Sequence, residues 1–271
     1  MLEGHLFRRG GGRRRGGFVA ALIAALGLAG CGDDAGNGGD LARACQADVE
    51  VTTSTLAMFA EIPETGPTAS AESVKLTRRL FKANVERPLS EFIKSAPAEI
   101  DDEARTLAAG FRHFGRTADD TVLGSESFTA AGDAVAAYLF DRCEQVKHTV
   151  TATDYRFSGL PPSVPAGGFR LRLENDGNEN HEIAILARAK GVDQSWDALL
   201  RLPFDELAGL TRIVAVDDAD PGTQAYASGV LEPGEYLVAC FVPQGTGSGR
   251  AERGPGAPHH ELGMRQLLTV T

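Results

Sequence analysis

His181, Cys240, the adjacent pair His259 and His260, and Met264 are the one dense collection of soft-metal donors in the sequence. Imidazole nitrogen suits copper, zinc and iron, while thiolate and thioether sulfur select softer ions such as Cu(I). Their order along the chain is His, Cys, His, Met, and His259 stands in a His-x4-Met spacing to Met264. Neighbouring residues on an extended segment point opposite ways, so only one of His259 and His260 can face an ion shared with the others.

These residues are far apart in sequence, so other elements must bring them together. After His148 the pattern is one of short alternating runs: Phe169, Leu171 and Leu173 against Arg170, Arg172 and Glu174, then Ile183 and Ile185, then Tyr236, Val238 and Cys240. Period-2 alternation reads as β-strands. Turn signals at Pro161-Pro162, Ala166-Gly167-Gly168, Asp176-Gly177 and Pro233-Gly234 separate them. This arrangement predicts an all-β antiparallel Greek-key sandwich or barrel. Ser195 to Leu210 breaks the pattern with Trp196, Leu199, Leu200, Phe204 and Leu207 around Pro203. It predicts a helical insertion covering an edge or end of the sandwich.

Between Leu41 and Val146 the apolar residues recur at helical spacing instead. Leu41 to Phe59 makes one helix, and Val74, Leu80, Phe81, Val85, Leu89, Phe92 and Ile93 mark a longer one that Pro88 should kink or split. Leu107 to Phe114 follow the cap candidates Asp101 and Asp102, and Phe128 to Leu139 follow Ser125. The expectation is an α+β chain of two domains, an antiparallel four-helix bundle over 41–147 and the sandwich over 148–271. In such a bundle the start of the first helix and the end of the fourth share a pole, where Cys45 and Cys143 fall, so a disulfide there is expected, against two buried thiols. The bundle lacks the paired Glu-x-x-His motifs of di-iron sites, and no chemistry is assigned to it.

The ordered donors on short strands resemble the cupredoxins, the blue-copper family that includes plastocyanin, over roughly Thr149 to Thr271. Asn175 falls six residues before His181, where that family places an asparagine in the turn before its first histidine, and LEPGEYLVACFVP resembles the strand ending in its ligand cysteine. The resemblance implies copper held by His181, Cys240 and His259 with Met264 axial, a trigonal set serving both oxidation states. His260 is the alternative to His259, and the family spacing to Met264 favours His259. Glu182 and Glu261 flank histidines and are candidate outer partners or plain solvated charges. One departure stands out: eighteen residues, 241–258, intervene between Cys240 and His259, where the family has only a few. A mobile loop there, carrying Arg250, Glu252 and Arg253, would leave the site open or weak, although its closure entropy forbids nothing.

The first thirty residues read as a signal peptide, with Arg8, Arg9, Arg13, Arg14 and Arg15 before an apolar run from Phe18 to Leu28. The run is short for a membrane span. Leu28-Ala29-Gly30-Cys31 resembles the lipobox of bacterial lipoproteins, which implies lipidation of Cys31 and extracytoplasmic anchoring, with 31–40 as a flexible tether. Without 1–30 the chain holds 22 basic and 36 acidic residues, formally −14, and such an acidic body does not seek nucleic acid. With Cys31 lipidated and Cys45 joined to Cys143, Cys240 is a leftover thiol in an oxidising compartment. Burial alone would explain one cysteine; the ordered set turns the reading to ligation.

No GxSxG, HExxH or phosphate-binding glycine loop occurs, and the histidines are too few for a catalytic copper cluster, so an enzyme is not expected. The sequence predicts an anchored copper protein for one-electron transfer or copper holding beside an envelope redox or copper-handling partner. The alternative is a metal-free cupredoxin-like module that binds another envelope protein.

Overall fold

The computed structural model describes residues 40–248 and 253–271. The signal peptide, Cys31, the tether before Asp40, and the loop residues Arg250 and Glu252 lie outside the described residues.

Helices occupy the first part. α1 (Leu41–Glu61) is capped by the Asp40 side chain, which accepts from the Arg43 amide. α2 (Ala71–Leu80) starts at Ser70, whose hydroxyl accepts from the Ser73 amide, and runs through a π-helical turn, Phe81–Val85, into α3 (Glu86–Ser95). Pro88 therefore does not split this rod. Its ring would crowd the carbonyl four residues back, and the wider π turn just before it accommodates that crowding while the helix continues. α4 (Asp101–Thr117) begins at Asp101, so Asp101 and Asp102 sit in the first turn beside the positive end of the helix dipole instead of capping it. α5 (Glu126–Arg142) is capped by Ser125, as its position suggested. Met58, Leu89, Phe92, Phe114 and Leu139 form the common core of these helices. The plain four-helix bundle is thus replaced by rods interrupted by a π turn and joined by 3₁₀ turns at Ala98–Ile100 and Asp120–Gly124. Cys45, in the first turns of α1, and Cys143, at the end of α5, are disulfide-bonded with Cα atoms 5.8 Å apart.

The β part comprises β1 (Val146–Thr153), β2 (Arg156–Ser158), β3 (Ser163–Val164), β4 (Gly167–Asn175), β5 (His181–Arg188), β6 (Thr211–Ala219), β7 (Gln224–Leu231), β8 (Gly234–Ala239) and β9 (Arg265–Val270). They form two sheets, ordered β2-β1-β4-β7 and β3-β9-β8-β5-β6. The sheets are mixed, which corrects the antiparallel Greek-key expectation: β1 runs parallel to β4, and β3 parallel to β9. Between β1 and β4 the chain crosses to the second sheet to place β3, then returns in its original direction, as a parallel pair requires.

Both faces of β5 are buried. Ile183 and Ile185 point into the sandwich with Leu171, Leu173 and Val238. Ala184 and Leu186 point outward against Trp196, Leu199 and Leu207. The insertion forms two short helices, α6 (Trp196–Leu199) and α7 (Phe204–Leu210), on either side of Pro203. They cover the outer face of the second sheet, not an edge or end, because the alternation of β5 exposes apolar residues on that face as well.

The helices pack on β4, β6 and β7 through α1 and α5. Arg170, only 4% exposed, fastens the two parts. It donates to Asp48 Oδ2 at 2.8 Å, to Gln145 Oε1 at 2.9 Å and to the Cys45 carbonyl at 3.0 Å.

Candidate metal centre

His181 opens β5, Cys240 follows directly on β8, and His259 and Met264 lie in the turn leading to β9. Since β8 pairs with both β5 and β9, sheet register alone sets the ends of three strands side by side. Asn175 locks the turn before His181. Its side-chain amide donates to the Glu179 and Ala219 carbonyls, both at 2.8 Å, and its Oδ1 accepts from the Gly177 amide at 2.9 Å. On the other side, the Cys240 amide donates to the Met264 carbonyl at 3.1 Å, the His259 amide to the Val242 carbonyl at 2.9 Å, and the Met264 amide to the His259 carbonyl at 3.0 Å.

The outcome is a buried group in which one donor atom each from His181, Cys240 and His259 lies within 4.8 Å of the other two. His181 Nδ1 is 3.1 Å from His259 Nδ1, and Cys240 Sγ is 3.4 Å from His259 Nδ1. Met264 is also fully buried in the surrounding core. His260 faces elsewhere: its ring lies against Phe241 at 4.8 Å, and it borders an open hollow with Asp197, Arg201, Glu261 and Arg265. The two histidines stand in a turn, not on the extended segment expected, but their rings still diverge, and His259 takes the inward place.

Each inward ring is held from behind by a carboxylate. His181 Nε2–H donates to Asp154 Oδ1 at 2.9 Å, and His259 Nε2–H donates to Glu179 Oε2 at 3.0 Å. Ionised carboxylates only accept, so each ring, when neutral, carries its proton on Nε2 and turns an Nδ1 lone pair inward. Two such lone pairs at 3.1 Å, with a sulfur beside them, repel unless a positive centre lies between them. The donor set therefore fits a metal ion, and two imidazoles with one thiolate fit a type 1 copper site. The backbone amide of Glu182 donates to Cys240 Sγ at 3.3 Å.

Burial raises the Asp154 carboxyl, but the Asn178 amide groups and the His181 ring outweigh it and hold Asp154 below the ordinary carboxylate range. Burial likewise raises Glu179, and the Gly245 amide, the Tyr155 hydroxyl and the His259 ring bring it down. His259 and His260 are both pushed below the usual imidazole value, chiefly by burial.

The long loop is held shut where it is described. Gly245 donates to Glu179 Oε2 at 2.6 Å, the Asn180 amide to the Thr246 carbonyl at 2.9 Å, and Gln244 to the Ala257 carbonyl at 2.9 Å. The Gly254 amide reaches Thr246 Oγ1 at 2.9 Å, and the Tyr155 ring covers His259 at 4.7 Å. The open site expected of a mobile loop is therefore not what forms: His259 is 0% exposed. Of the two flanking glutamates, Glu182 accepts from the Phe241 amide at 3.3 Å, whereas Glu261 is exposed. Asp154, Tyr155 and Glu179 escaped sequence reasoning. Glu179 had a signal, a carboxylate two residues before a histidine in a turn; Asp154 had none.

No family model and no curated protein matches the chain. Among solved structures, it is similar to dithionite-reduced auracyanin from Roseiflexus castenholzii, at 19% identity over 47% of this chain and 98% of that one, with a TM-score of 0.33. It is similar also to auracyanin A, a "blue" copper protein from Chloroflexus aurantiacus, at 17% identity over 47% and 100%, TM-score 0.30. A purple cupredoxin from Nitrosopumilus maritimus matches at 13% identity over 47% and 100%, TM-score 0.25. The donor geometry, not these overlaps, carries the functional reading.

Proposed function

We propose that the protein would hold one copper ion through His181 Nδ1, Cys240 Sγ and His259 Nδ1, with Met264 as the candidate thioether donor, and that it serves as a one-electron carrier or a copper holder. The observation that carries this reading is the convergence of one ring nitrogen each from His181 and His259 with the Cys240 sulfur in a buried group. Copper in such a set would supply a one-electron couple, whose potential a thioether from Met264 would help set.

The chain's own contribution is rigidity and exclusion of water. Cys240 and His259 are tied to each other's strands by backbone bonds, so neither donor has to move when charge changes. Tyr155, Gln244 and the pinned loop keep solvent from His259. The length of the loop between Cys240 and His259 favours a metal-free binding module instead, but where the loop is described it is bonded over His259, which supports the copper reading.

In this reading Cys31 is lipidated, the acidic body stands outside the cell membrane on its short tether, and the site works beside an envelope redox or copper-handling protein. The disulfide accords with an oxidising compartment. The protein moves an electron or a metal and performs no bond chemistry of its own.

The test is copper binding by purified protein and by Cys240→Ser. One equivalent bound by the wild type and lost in the variant is expected. Binding that survives the substitution, or a wild type that takes neither Cu(I) nor Cu(II), would overturn the assignment.

A further inference from the structure

The two outer carboxylates are built into the fold from several sides. Asp154 accepts from the Asn178 backbone amide at 3.1 Å and from its side chain at 2.9 Å, besides His181. Glu179 accepts from the Tyr155 hydroxyl at 3.0 Å on Oε1, and on Oε2 from Gly245 and His259. Neither can swing away without breaking other bonds. Each neutral ring is therefore directed to the Nε2–H tautomer, with Nδ1 turned inward.

We propose that Asp154 and Glu179 are positioning residues of the copper centre, fixing both rings as Nε2–H and adding two negative charges that weight the centre toward Cu(II) over Cu(I). This rests on the copper reading above. Two effects act in the same direction. A carboxylate behind a ligand imidazole makes the ring a stronger donor. A fixed negative charge also stabilises the dication more than the monocation, and both carboxylates, though Asp154 is exposed and Glu179 only partly buried, stand one imidazole ring from the donor atoms, well inside a Debye length. With both histidines backed by carboxylates, both ring ends of the site lower the potential.

Glu179→Gln separates charge from geometry. Its oxygen can still accept from His259 and Gly245, and its amide can donate to Tyr155, so the tautomer survives and the charge goes. Glu179→Ala removes both, and Asp154→Asn repeats the charge test at His181. Nitrogen NMR of the rings in metal-free protein and the reduction potential of copper-loaded protein are the readouts.

Wild type should show both rings as Nε2–H without metal, and Glu179→Ala should lose that state at His259 alone. Glu179→Gln and Asp154→Asn should each lower the Cu(II) to Cu(I) affinity ratio about tenfold, a rise of about 59 mV for one electron. If the wild type binds no copper, the reading beneath fails and this proposal with it. If copper binds but the variants keep the wild-type potential, or the metal-free rings carry Nδ1–H, this proposal alone fails.

Discussion

Gly177→Ala is a small change aimed at the centre. Gly177 lies outside the left-handed backbone region, so alanine meets no conformational penalty there. A methyl at this position would stand 2.5 Å from His181 Nε2 and closer still to Asp154 Oδ1. Ordinary contacts begin near 3.4 Å, so ring and carboxylate must each give way by about 0.9 Å. Their 2.9 Å hydrogen bond then opens beyond bonding range. Loss of such an outer partner weakens metal binding by about 10- to 100-fold, or about 1.4–2.7 kcal/mol. Gly209→Ala, on α7 with nothing near its added carbon, is the matched control and should bind copper like the wild type. Competition titration against a copper chelator reads the difference. A folded Gly177→Ala protein within threefold of wild-type affinity would refute the coupling between Asp154 and His181.

Three further outcomes follow from the fold. Replacing Cys45 and Cys143 by alanine removes a crosslink across a separation of 98 residues, costing about 4.7 kcal/mol, and should lower the thermal midpoint by about 10–20 °C while copper binding persists. Arg170→Ala leaves Asp48 without its ion-pair partner at the seam, while the Cys45 carbonyl keeps its bond from Gln145, and denaturant titration should show a loss of about 3 kcal/mol; a loss under about 1 kcal/mol would mean the seam stands without it. His259 and His260 have lowered folded pKa values, so in metal-free protein the unfolded chain takes up protons first. Stability is therefore full above about pH 6.5 and falls as pH drops through that value, and His260→Leu should flatten this fall in calorimetric scans from pH 8 to 5.

The strands and the donors were legible because period-2 alternation marks β-strands directly, and because few residue types can hold a soft ion. The order His181, Cys240, His259 was readable for the same reason. What escaped depended on contacts remote in sequence. Asp154 is 27 residues from His181, and its role follows only from the pairing that folds β1 and β2 over the turn after β4. The loop misled because its glycines and prolines suggested motion, whereas Gly254 is required for packing: a Cβ there would collide with the Gln244 backbone. The continuous helix past Pro88 was hidden because a π turn carries no sequence mark as plain as proline's.

The visible absorption spectrum of the copper-loaded protein bears most directly on the central claim. Thiolate bound to Cu(II) in a trigonal histidine site should give intense absorption in the visible, abolished by Cys240→Ser. A copper-loaded wild type with only weak bands, like those of copper bound by nitrogen and oxygen, would contradict it.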